Sequence, residues 1–241
     1  MCTVSYIPFV QNNNFILTSN RDEKDFRPAI APATYEIEDV LICYPKDSKA
    51  GGSWIVMNNM GRICCLLNGA FEAHQKQDFH TVSRGKIPIE LASSFLEAQE
   101  YFKGKDLSCV EPFTLITIDM NKNKIKDFSE FIWDGEKKHF RELDNKYPYI
   151  WSSVTLYSKE DRDQRIKWFN QFLLNTMENV SPEKVLAFHS GIHTTDQAIN
   201  VVMERVGGLK TVSITQVIPN GNYLLMKYSD LIKNTFHELE L

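Results

Sequence analysis

The stretch of sequence that decides the fold stands at the N-terminus and reads MCTVSYIPFVQNNNFILTSNRDE. Two runs rich in β-branched and aromatic residues, Thr3–Val10 and Phe15–Ser19, are separated by a run of three asparagines. Because such runs form strands and asparagine favours turns, the pattern predicts a β-hairpin. The hairpin would bring the polar run at 20–23, which follows the second strand, close to the cysteine at position 2.

Cysteine at position 2 has a chemical consequence if Met1 is removed, because the α-amine then lies beside the thiol of the same residue. The pKa of an α-amine is about 7.7–8.0 and that of a free thiol about 8.5, so the amine can accept the thiol proton near neutral pH. This is the N-terminal form of a nucleophile paired with its base. With Met1 attached, the nitrogen is an amide and no base is present. Position alone favours an ordinary small buried side chain for Cys2.

The tetrapeptide Asn20-Arg21-Asp22-Glu23 favours a chemical role for Cys2 over a structural one. Asp22 is placed to accept a hydrogen bond from the new ammonium group, which would hold that group and adjust its pKa. Arg21 has two candidate partners, Glu23 and a substrate carboxylate. A charged cluster at the end of a strand is by itself typical of a solvated turn, so the tetrapeptide is informative only together with Cys2.

Composition and charge place the chain among ordinary globular proteins. It has 241 residues, of which 43% are hydrophobic and 24% charged, and its formal net charge is −4. These values exclude a disordered chain and a collagen-like repeat. A mildly acidic chain without a basic block is not typical of nucleic-acid binders, and no run approaches the roughly 18 apolar residues of a membrane helix. We therefore expect neither a nucleic-acid partner nor an integral membrane segment.

The cysteine count and the first residues predict the compartment. Five cysteines, without a CxxC pair, do not resemble the disulfide framework of a small secreted domain. The start of the chain lacks the basic and apolar regions of a signal peptide. Both observations predict a cytoplasmic protein with free thiols.

Short strands bounded by turn formers recur along the rest of the chain, which predicts a series of antiparallel hairpins. The predicted strands are Val40–Tyr44, Ser53–Met57, Arg62–Asn68, Phe113–Ile118, Ile125–Trp133, Lys137–Arg141, Tyr149–Val154, Thr211–Val217 and Tyr223–Tyr228. Most of Asp22–Asp47 is predicted as a loop. Since no linker or repeat interrupts the pattern, we predict a single α+β domain over residues 1–241.

Helical spacing of apolar residues predicts three helices between the hairpins. The first runs from Ile87 to Tyr101 and includes Phe95 and Leu96 in its apolar stripe. The second follows Ser158, and the third spans Thr195–Val206.

Several short motifs follow one another in a specific order: Cys2, Asn20-Arg21-Asp22-Glu23, Arg27-Pro28, Gly51-Gly52-Ser53-Trp54, Gly61-Arg62, Asn68 and Ser83-Arg84-Gly85. This ordered set resembles the NRDE family, which is named after the tetrapeptide and whose animal members are called transport and Golgi organisation protein 2. That family is similar in fold to N-terminal nucleophile hydrolases, in particular to the bile-salt hydrolase and penicillin V acylase group. The resemblance implies an αββα sandwich, in which two antiparallel sheets lie between helical layers.

The resemblance also implies roles for individual residues. Cys2 would be the nucleophile, Asp22 would hold its α-amine, and Asn68 would donate a side-chain N–H to the oxyanion. One such donor typically contributes about 2.7–4 kcal/mol of transition-state stabilisation. The residues expected to contact the substrate are Asn20, Arg21, Glu23, Trp54 and Ser153.

The chain departs from the hydrolase pattern at two of these positions. Its arginine follows Asn20, whereas in the hydrolases an arginine stands near the place of Ser19, so the arginine points to the opposite face of the strand. Ser152 or Ser153 stands near the place of a second oxyanion asparagine. The nucleophile and the group that holds its amine are retained.

Two functions from different classes follow from these observations. The first is hydrolysis of a non-peptide amide or related acyl bond, which needs no cofactor. The second is binding or transfer of haem or another apolar ligand in the same cleft, because animal members have been connected with haem movement. Cys2, His189 and His193 are candidate axial ligands, although no metal site is predicted and a loop-and-cap role is favoured for the two histidines. The substrate and the oligomeric state are not determined by the sequence.

Overall fold

The structure is a computed structural model that describes residues 3–8 and 14–241. In this part of the chain, fourteen strands and four α-helices follow one another. The strands are β1 (Thr3–Pro8), β2 (Phe15–Lys24), β3 (Ala29–Ile37), β4 (Val40–Asp47), β5 (Ile55–Asn58), β6 (Arg62–Asn68), β7 (Phe113–Asn121), β8 (Lys124–Trp133), β9 (Lys138–Glu142), β10 (Tyr149–Ser152), β11 (Glu204–Arg205), β12 (Leu209–Asn220), β13 (Tyr223–Asp230) and β14 (Thr235–Glu240). The helices are α1 (Lys86–Ser93), α2 (Ala98–Gly104), α3 (Lys159–Thr176) and α4 (Pro182–Ser190).

The strands form two antiparallel sheets. The first sheet has the order β10-β1-β2-β12-β13-β14, with β11 paired to β12, and the second has the order β3-β4-β5-β6-β7-β8-β9. Helices α3 and α4 cover the outer face of the first sheet, and α1 and α2 cover that of the second. The layers therefore run helix, sheet, sheet, helix, which confirms the αββα sandwich that the resemblance implies.

Alternation along β1 and β2 divides their side chains between two cores. Val4, Tyr6 and Leu17 lie in the apolar core between the two sheets. Ile7 and Ile16 point to the other face and pack under α3 and α4. Because successive strand residues point to opposite faces, the same alternation separates the polar residues at the end of β2.

The segment Asp22–Asp47, predicted to be mainly loop, is strand over most of its length. Strand β2 continues to Lys24, where it still pairs with β12, and β3 pairs with β4 as far as Asp47. The prediction was wrong because the polar side chains of this segment do not prevent pairing, and the neighbouring strands satisfy its backbone hydrogen bonds.

The predicted helix from Ile87 to Tyr101 is two helices, α1 and α2. Phe95 and Leu96, predicted in the apolar stripe, lie between them and are 74% and 50% exposed. Helix α1 ends where Asn58 donates to the carbonyl of Ala92 and the guanidinium of Arg62 donates to nearby carbonyls. These bonds satisfy the C-terminal carbonyls, which allows the chain to leave the helix.

The helix predicted at Thr195–Val206 does not form, and a helix that was not predicted, α4, precedes it. The side chain of Asn200 accepts from the backbone N–H of His193 and donates to the carbonyl of Thr194. Such side-chain bonds compete with helix formation. Helix α4 has the N-terminal signature that was overlooked, since Ser181 caps it and Pro182 opens it.

No helix in the described part of the chain has the length and hydrophobicity that a membrane span requires.

Candidate active site

A cavity of about 320 Å³ opens at the end of the sandwich where β2 and β6 finish. Arg21 and Glu23 line it from the first sheet, and Trp54 and Asn68 line it from the second. The irregular connection at 69–85, between β6 and α1, contributes His80 and Arg84 among others. We call this cavity the charged cleft, because four cationic and three acidic side chains line it.

Arg21 is buried in the wall of the charged cleft, and only 3% of its surface is exposed. Its guanidinium forms an ion pair with Asp47 at 2.7 Å and donates to the carbonyl of Arg27 at 3.0 Å. The same group lies 4.7 Å from the ring centre of Trp54. Arg21 therefore connects β2 to β4 through Asp47 and also packs against the ring of Trp54.

Asp47 connects two arginines of the charged cleft. Besides Arg21, it accepts from Nε of Arg27 at 3.2 Å and from the backbone N–H of Ala50 at 2.8 Å. Burial raises the pKa of Asp47, but the Ala50 N–H and the two guanidinium groups outweigh it and hold this pKa below its ordinary value. Arg27 also pairs with Glu23 at 3.0 Å. The wall is therefore an ionised network at neutral pH.

Gly52 and Gly85 bring the end of the irregular connection against the wall. The backbone N–H of Ser53 donates to the carbonyl of Gly85 at 2.9 Å. A Cβ atom at Gly52 would lie 2.5 Å from the carbonyl carbon of Gly85, so the two backbones approach more closely than any side chain permits. This contact places Arg84 at the charged cleft, where it lies 3.4 Å from Glu111.

Asn68 lies at the end of β6 and borders two cavities. It lines the charged cleft and also a second cavity of about 290 Å³, which we call the adjoining cavity. Ser153, which follows β10, donates from Oγ to the backbone carbonyl of Asn68 at 2.8 Å and contacts Thr155 Oγ1 at 2.9 Å. Ser153 lines the adjoining cavity and does not border the charged cleft.

Cys2, the proposed nucleophile, lies outside the described residues. Its neighbour in the chain, Thr3, lies opposite Asn20 on β2 and opposite Ser152 on β10. Arg21 follows Asn20 and Ser153 follows Ser152, so both stand next in sequence to the strand partners of Thr3.

Asp22 lies on the face of β2 opposite Arg21 and is 3% exposed. Its carboxylate accepts from Tyr157 Oη at 2.7 Å and from Thr211 Oγ1 at 2.6 Å. These two donors fix the orientation of the carboxylate that was predicted to hold the α-amine.

Asn20 does not line either cavity, although it was expected to contact the substrate. Its Nδ2 donates to the carbonyls of His189 and Val201, both at 2.9 Å, and its Oδ1 lies 2.6 Å from Nδ1 of His189. Nε2 of His189 lies 2.7 Å from Ser5 Oγ. Since Asn20 Oδ1 only accepts, Nδ1 carries the proton of the neutral ring and Nε2 accepts from Ser5. Asn20 and His189 thus tie β1 and β2 to α4.

His189 is neutral because it is completely buried. Burial, with smaller contributions from the neighbouring Arg165 and His193, lowers the pKa of His189 from 6.5 to about 3. Both ring nitrogens are engaged in hydrogen bonds. Among the described residues, no group of three or more His, Cys, Asp or Glu side chains is arranged to hold a metal ion.

A family model described as "Transport and Golgi organisation 2" matches residues 1–216. The chain belongs to this family. In this member of the Transport and Golgi organisation 2 family, alternation along β2 places the side chains of Asn20-Arg21-Asp22-Glu23 on two faces of the strand. Asn20 and Asp22 point to the helical layer, whereas Arg21 and Glu23 point into the charged cleft.

Solved structures similar to this Transport and Golgi organisation 2 family member have the N-terminal nucleophile hydrolase fold. The Caenorhabditis elegans N-acylethanolamine-hydrolyzing acid amidase ortholog matches with a TM-score of 0.59 and 11% identity over 91% of this chain and 95% of that chain. Penicillin V acylase from Agrobacterium tumefaciens matches with a TM-score of 0.56 and 11% identity over 100% and 86% of the two chains.

A mutant of the conjugated bile acid hydrolase from Clostridium perfringens also matches, with a TM-score of 0.56 and 10% identity over 100% of this chain and 92% of that chain. At such low identity these likenesses establish the fold alone. Comparison with curated protein sequences gives no significant match.

Sequence reasoning missed Arg165 and Tyr157, which hold the start of β1 and Asp22 in the Transport and Golgi organisation 2 fold. Arg165 is completely buried in α3 and donates to Thr3 Oγ1, and its guanidinium lies 3.6 Å from the ring centre of Tyr157. Tyr157 in turn donates to Asp22. A signal was present, because Arg165 precedes the buried Phe169 by four residues and so occupies a core position of the helix.

Proposed function

We propose that this protein is an N-terminal-cysteine hydrolase that cleaves a non-peptide amide or a related acyl bond. The observation that supports this proposal most strongly is the position of Thr3, which is paired with Asn20 on one side and Ser152 on the other. Thr3 is the residue that follows Cys2 in the sequence. Arg21 of the charged cleft and Ser153 of the adjoining cavity follow directly on the two flanking strands.

Removal of Met1 is the first requirement of the mechanism. It frees the α-amine of Cys2, which takes the proton from the thiol and becomes an ammonium group held by Asp22. Tyr157 and Thr211 keep the Asp22 carboxylate in place for this contact. No histidine is needed as base.

The reaction then proceeds in two steps. The Cys2 thiolate adds to the substrate carbonyl carbon, the side-chain N–H of Asn68 stabilises the oxyanion, and the C–N bond breaks as the ammonium proton passes to the leaving nitrogen. Water then adds to the thioester, the C–S bond breaks, and a carboxylic acid leaves while the thiol is restored. The sum is one amide and one water converted to one acid and one amine.

The alternative function is a binding or transfer protein for haem or an apolar ligand in the same place. Two observations weaken it. Both ring nitrogens of His189 are bonded within the protein, and His193 Nε2 lies 2.9 Å from the carbonyl of Phe188 while its ring stacks on Trp168. The wall of the charged cleft is an ionised network rather than an apolar slot.

The test begins with the intact mass of protein isolated from its native host, which we expect to lack Met1. Incubation with a panel of N-acyl amides should then release amine and leave an acyl adduct on Cys2 after rapid quenching. The Cys2→Ala variant should form neither product. Cys109 is exposed, so Cys109→Ala serves as the matched control and should retain full turnover.

Two outcomes would contradict the proposed hydrolase function. One is a native protein that retains Met1, and the other is a Cys2→Ala variant that still turns over substrate. Haem titration followed by absorbance tests the alternative, since a spectral shift that requires Cys2 in a protein without amidase activity would favour binding.

A further inference from the structure

The charged cleft and the adjoining cavity meet at Asn68 and differ in character. We propose that they bind the two halves of an N-acyl amino acid, with the carboxylate-bearing amine half in the charged cleft and an apolar acyl chain in the adjoining cavity. This inference rests on the proposed function, because it places the scissile amide between the cavities.

The three carboxylates that line the charged cleft already have partners within the protein. Asp47 is bonded to Arg21 and Arg27, and Glu23 is bonded to Arg27 and to the backbone N–H of Lys24. Glu111 lies 3.3 Å from Nε2 of His74 and 3.4 Å from Arg84. A cationic ligand would therefore compete with the arginines that already pair with these carboxylates.

Two hydrogen-bond donors of the charged cleft, in contrast, lack a strong partner in the described part of the chain. Trp54 is 3% exposed, and its Nε1 has no hydrogen-bond partner among residues 3–8 and 14–241. A buried donor without a partner is costly, because the group has lost its water. Trp54 lines the charged cleft, so an acceptor atom of a ligand there would satisfy it.

Arg84 is the second donor with spare capacity. Its contact with Glu111 is 3.4 Å, longer than an ordinary charge-assisted hydrogen bond, and its other bond goes to the carbonyl of Pro112 at 3.2 Å. Burial lowers the pKa of Arg84. The negative charge of Glu111 raises this pKa in part, and the positive charge of Arg27 lowers it again. An incoming carboxylate would improve the environment of this guanidinium, since a planar guanidinium matches a carboxylate in geometry.

Lys159, Arg162 and Asp163 line the adjoining cavity together with two buried polar residues that have protein partners, Glu130 and Thr114. Glu130 accepts from Trp151 Nε1 at 2.8 Å and pairs with Arg141 at 2.8 Å, and Thr114 donates to the carbonyl of Gly69 at 3.0 Å. The apolar side chains that line this cavity include Leu67, Ile132, Ile150 and Val154. Such a surface favours a ligand without hydrogen-bonding groups, such as an acyl chain.

The experiment uses two substrates that differ only in the amine half. N-dodecanoylglycine carries a carboxylate, and N-dodecanoylethanolamine has a neutral hydroxyl in its place. For the wild type we expect a kcat/KM about tenfold or more higher for the glycine conjugate, because a site with spare donors discriminates against a ligand that lacks the acceptor. N-acetylglycine, with a minimal acyl group, should be a poorer substrate than N-dodecanoylglycine.

Three variants test which residues cause the preference for the glycine conjugate. Arg84→Gln should lower kcat/KM for the glycine conjugate about tenfold or more and lower that for the ethanolamide less, so that the preference for the glycine conjugate is lost. Trp54→Phe keeps an aromatic ring at this position but removes the indole N–H, and it should weaken the same preference. Lys103→Gln removes a positive charge on α2. It is the control and should leave kcat/KM for both substrates unchanged. Thermal melting of each variant verifies that it is folded.

Binding to the Cys2→Ala variant, measured by calorimetry with the same two compounds, separates this inference from the proposed function. Tighter binding of the glycine conjugate, lost in Arg84→Gln, supports the subsites even if the wild type hydrolyses neither compound. Equal hydrolysis and equal binding of the two compounds would overturn the subsite inference without contradicting the proposed hydrolase function.

Discussion

Oδ1 of Asn20 and Nδ1 of His189 lie 2.6 Å apart, although 169 positions separate the two residues in the chain. The bond joins β2 to the last turn of α4, and His189 continues it to Ser5 on β1. The first residue of the tetrapeptide is therefore a clamp that holds the N-terminal hairpin against the helical layer. Its role in the proposed reaction is to hold β2 beside β1, which begins one residue after Cys2 in the sequence.

Replacing His189 by Ala should destabilise the protein strongly. The change leaves Asn20 Oδ1 and Ser5 Oγ buried without their His189 partner. Each such group costs about 1–3 kcal/mol, so we expect a loss of about 2–6 kcal/mol in the free energy of unfolding. Urea denaturation measures it. His139 is partly exposed and paired with Asp134 at the surface, so His139→Ala should cost less than about 1 kcal/mol. Similar losses in the two variants would contradict the clamp.

Stability should fall as the pH decreases below neutral. The pKa of His189 in the folded protein is lowered from 6.5 to about 3, so below pH 6.5 the unfolded state takes up a proton that the folded state does not bind. The stabilisation is complete above the unfolded pKa and declines as the pH falls toward the folded one. Between neutral pH and pH 5 we expect a loss of about 2 kcal/mol from this group. Urea denaturation across this range measures the loss.

His189→Gln is the matched variant for the pH dependence. Glutamine can donate and accept hydrogen bonds but does not titrate, so the variant should be less stable at neutral pH and show a flatter decline between pH 6.5 and 5. An unchanged slope would show that other groups cause the acid sensitivity.

Arg165→Met should detach the start of β1 from α3. The guanidinium is completely buried and donates to Thr3 Oγ1 and to the carbonyls of Ile199 and Asn200. Hydrogen bonds to charged groups contribute roughly 1.5–3 kcal/mol each, so we expect a destabilisation of about 3 kcal/mol or more. The midpoint of urea unfolding measures the loss.

Lys103→Met is the control for this substitution, because Lys103 is 74% exposed and its partner Glu100 is 61% exposed. It should change stability by less than about 1 kcal/mol. If Arg165→Met were as mild as the control, the buried guanidinium would not anchor β1.

Asn68→Ala should impair the proposed reaction without unfolding the site. Loss of one oxyanion donor lowers kcat by about 100- to 1000-fold. Ser153 is bonded to the backbone carbonyl of Asn68 rather than to its side chain, so the link between β6 and β10 survives the substitution. Steady-state kinetics on a hydrolysed N-acyl amide, with melting temperature as the second readout, provides the measurement.

A comparison with Ser153→Ala completes this prediction. That variant removes the link between the strand ends and should lower the melting temperature more than Asn68→Ala does, while affecting kcat less. The reverse order would assign the oxyanion role to Ser153.

Local patterns in the chain predicted most hairpins and the segment Arg62–Asn68 with its observed bounds. They failed where tertiary partners override local preference. Strand β2 extends to Lys24 because β12 pairs with its polar end. Helix α1 stops before Phe95 because Arg62, from a strand, takes its terminal carbonyls.

The sequence alone determined the family, the antiparallel hairpins and the unusual position of Cys2, since these depend on residue identity and on spacing along the chain. Only the tertiary structure decided that Arg21 and Glu23 face the charged cleft while Asn20 faces α4. It also decided that Asn68 lies between two cavities and that Arg165 anchors Thr3. These relationships join residues far apart in the chain, and they arise from the packing of sheets and helices, which local patterns do not encode.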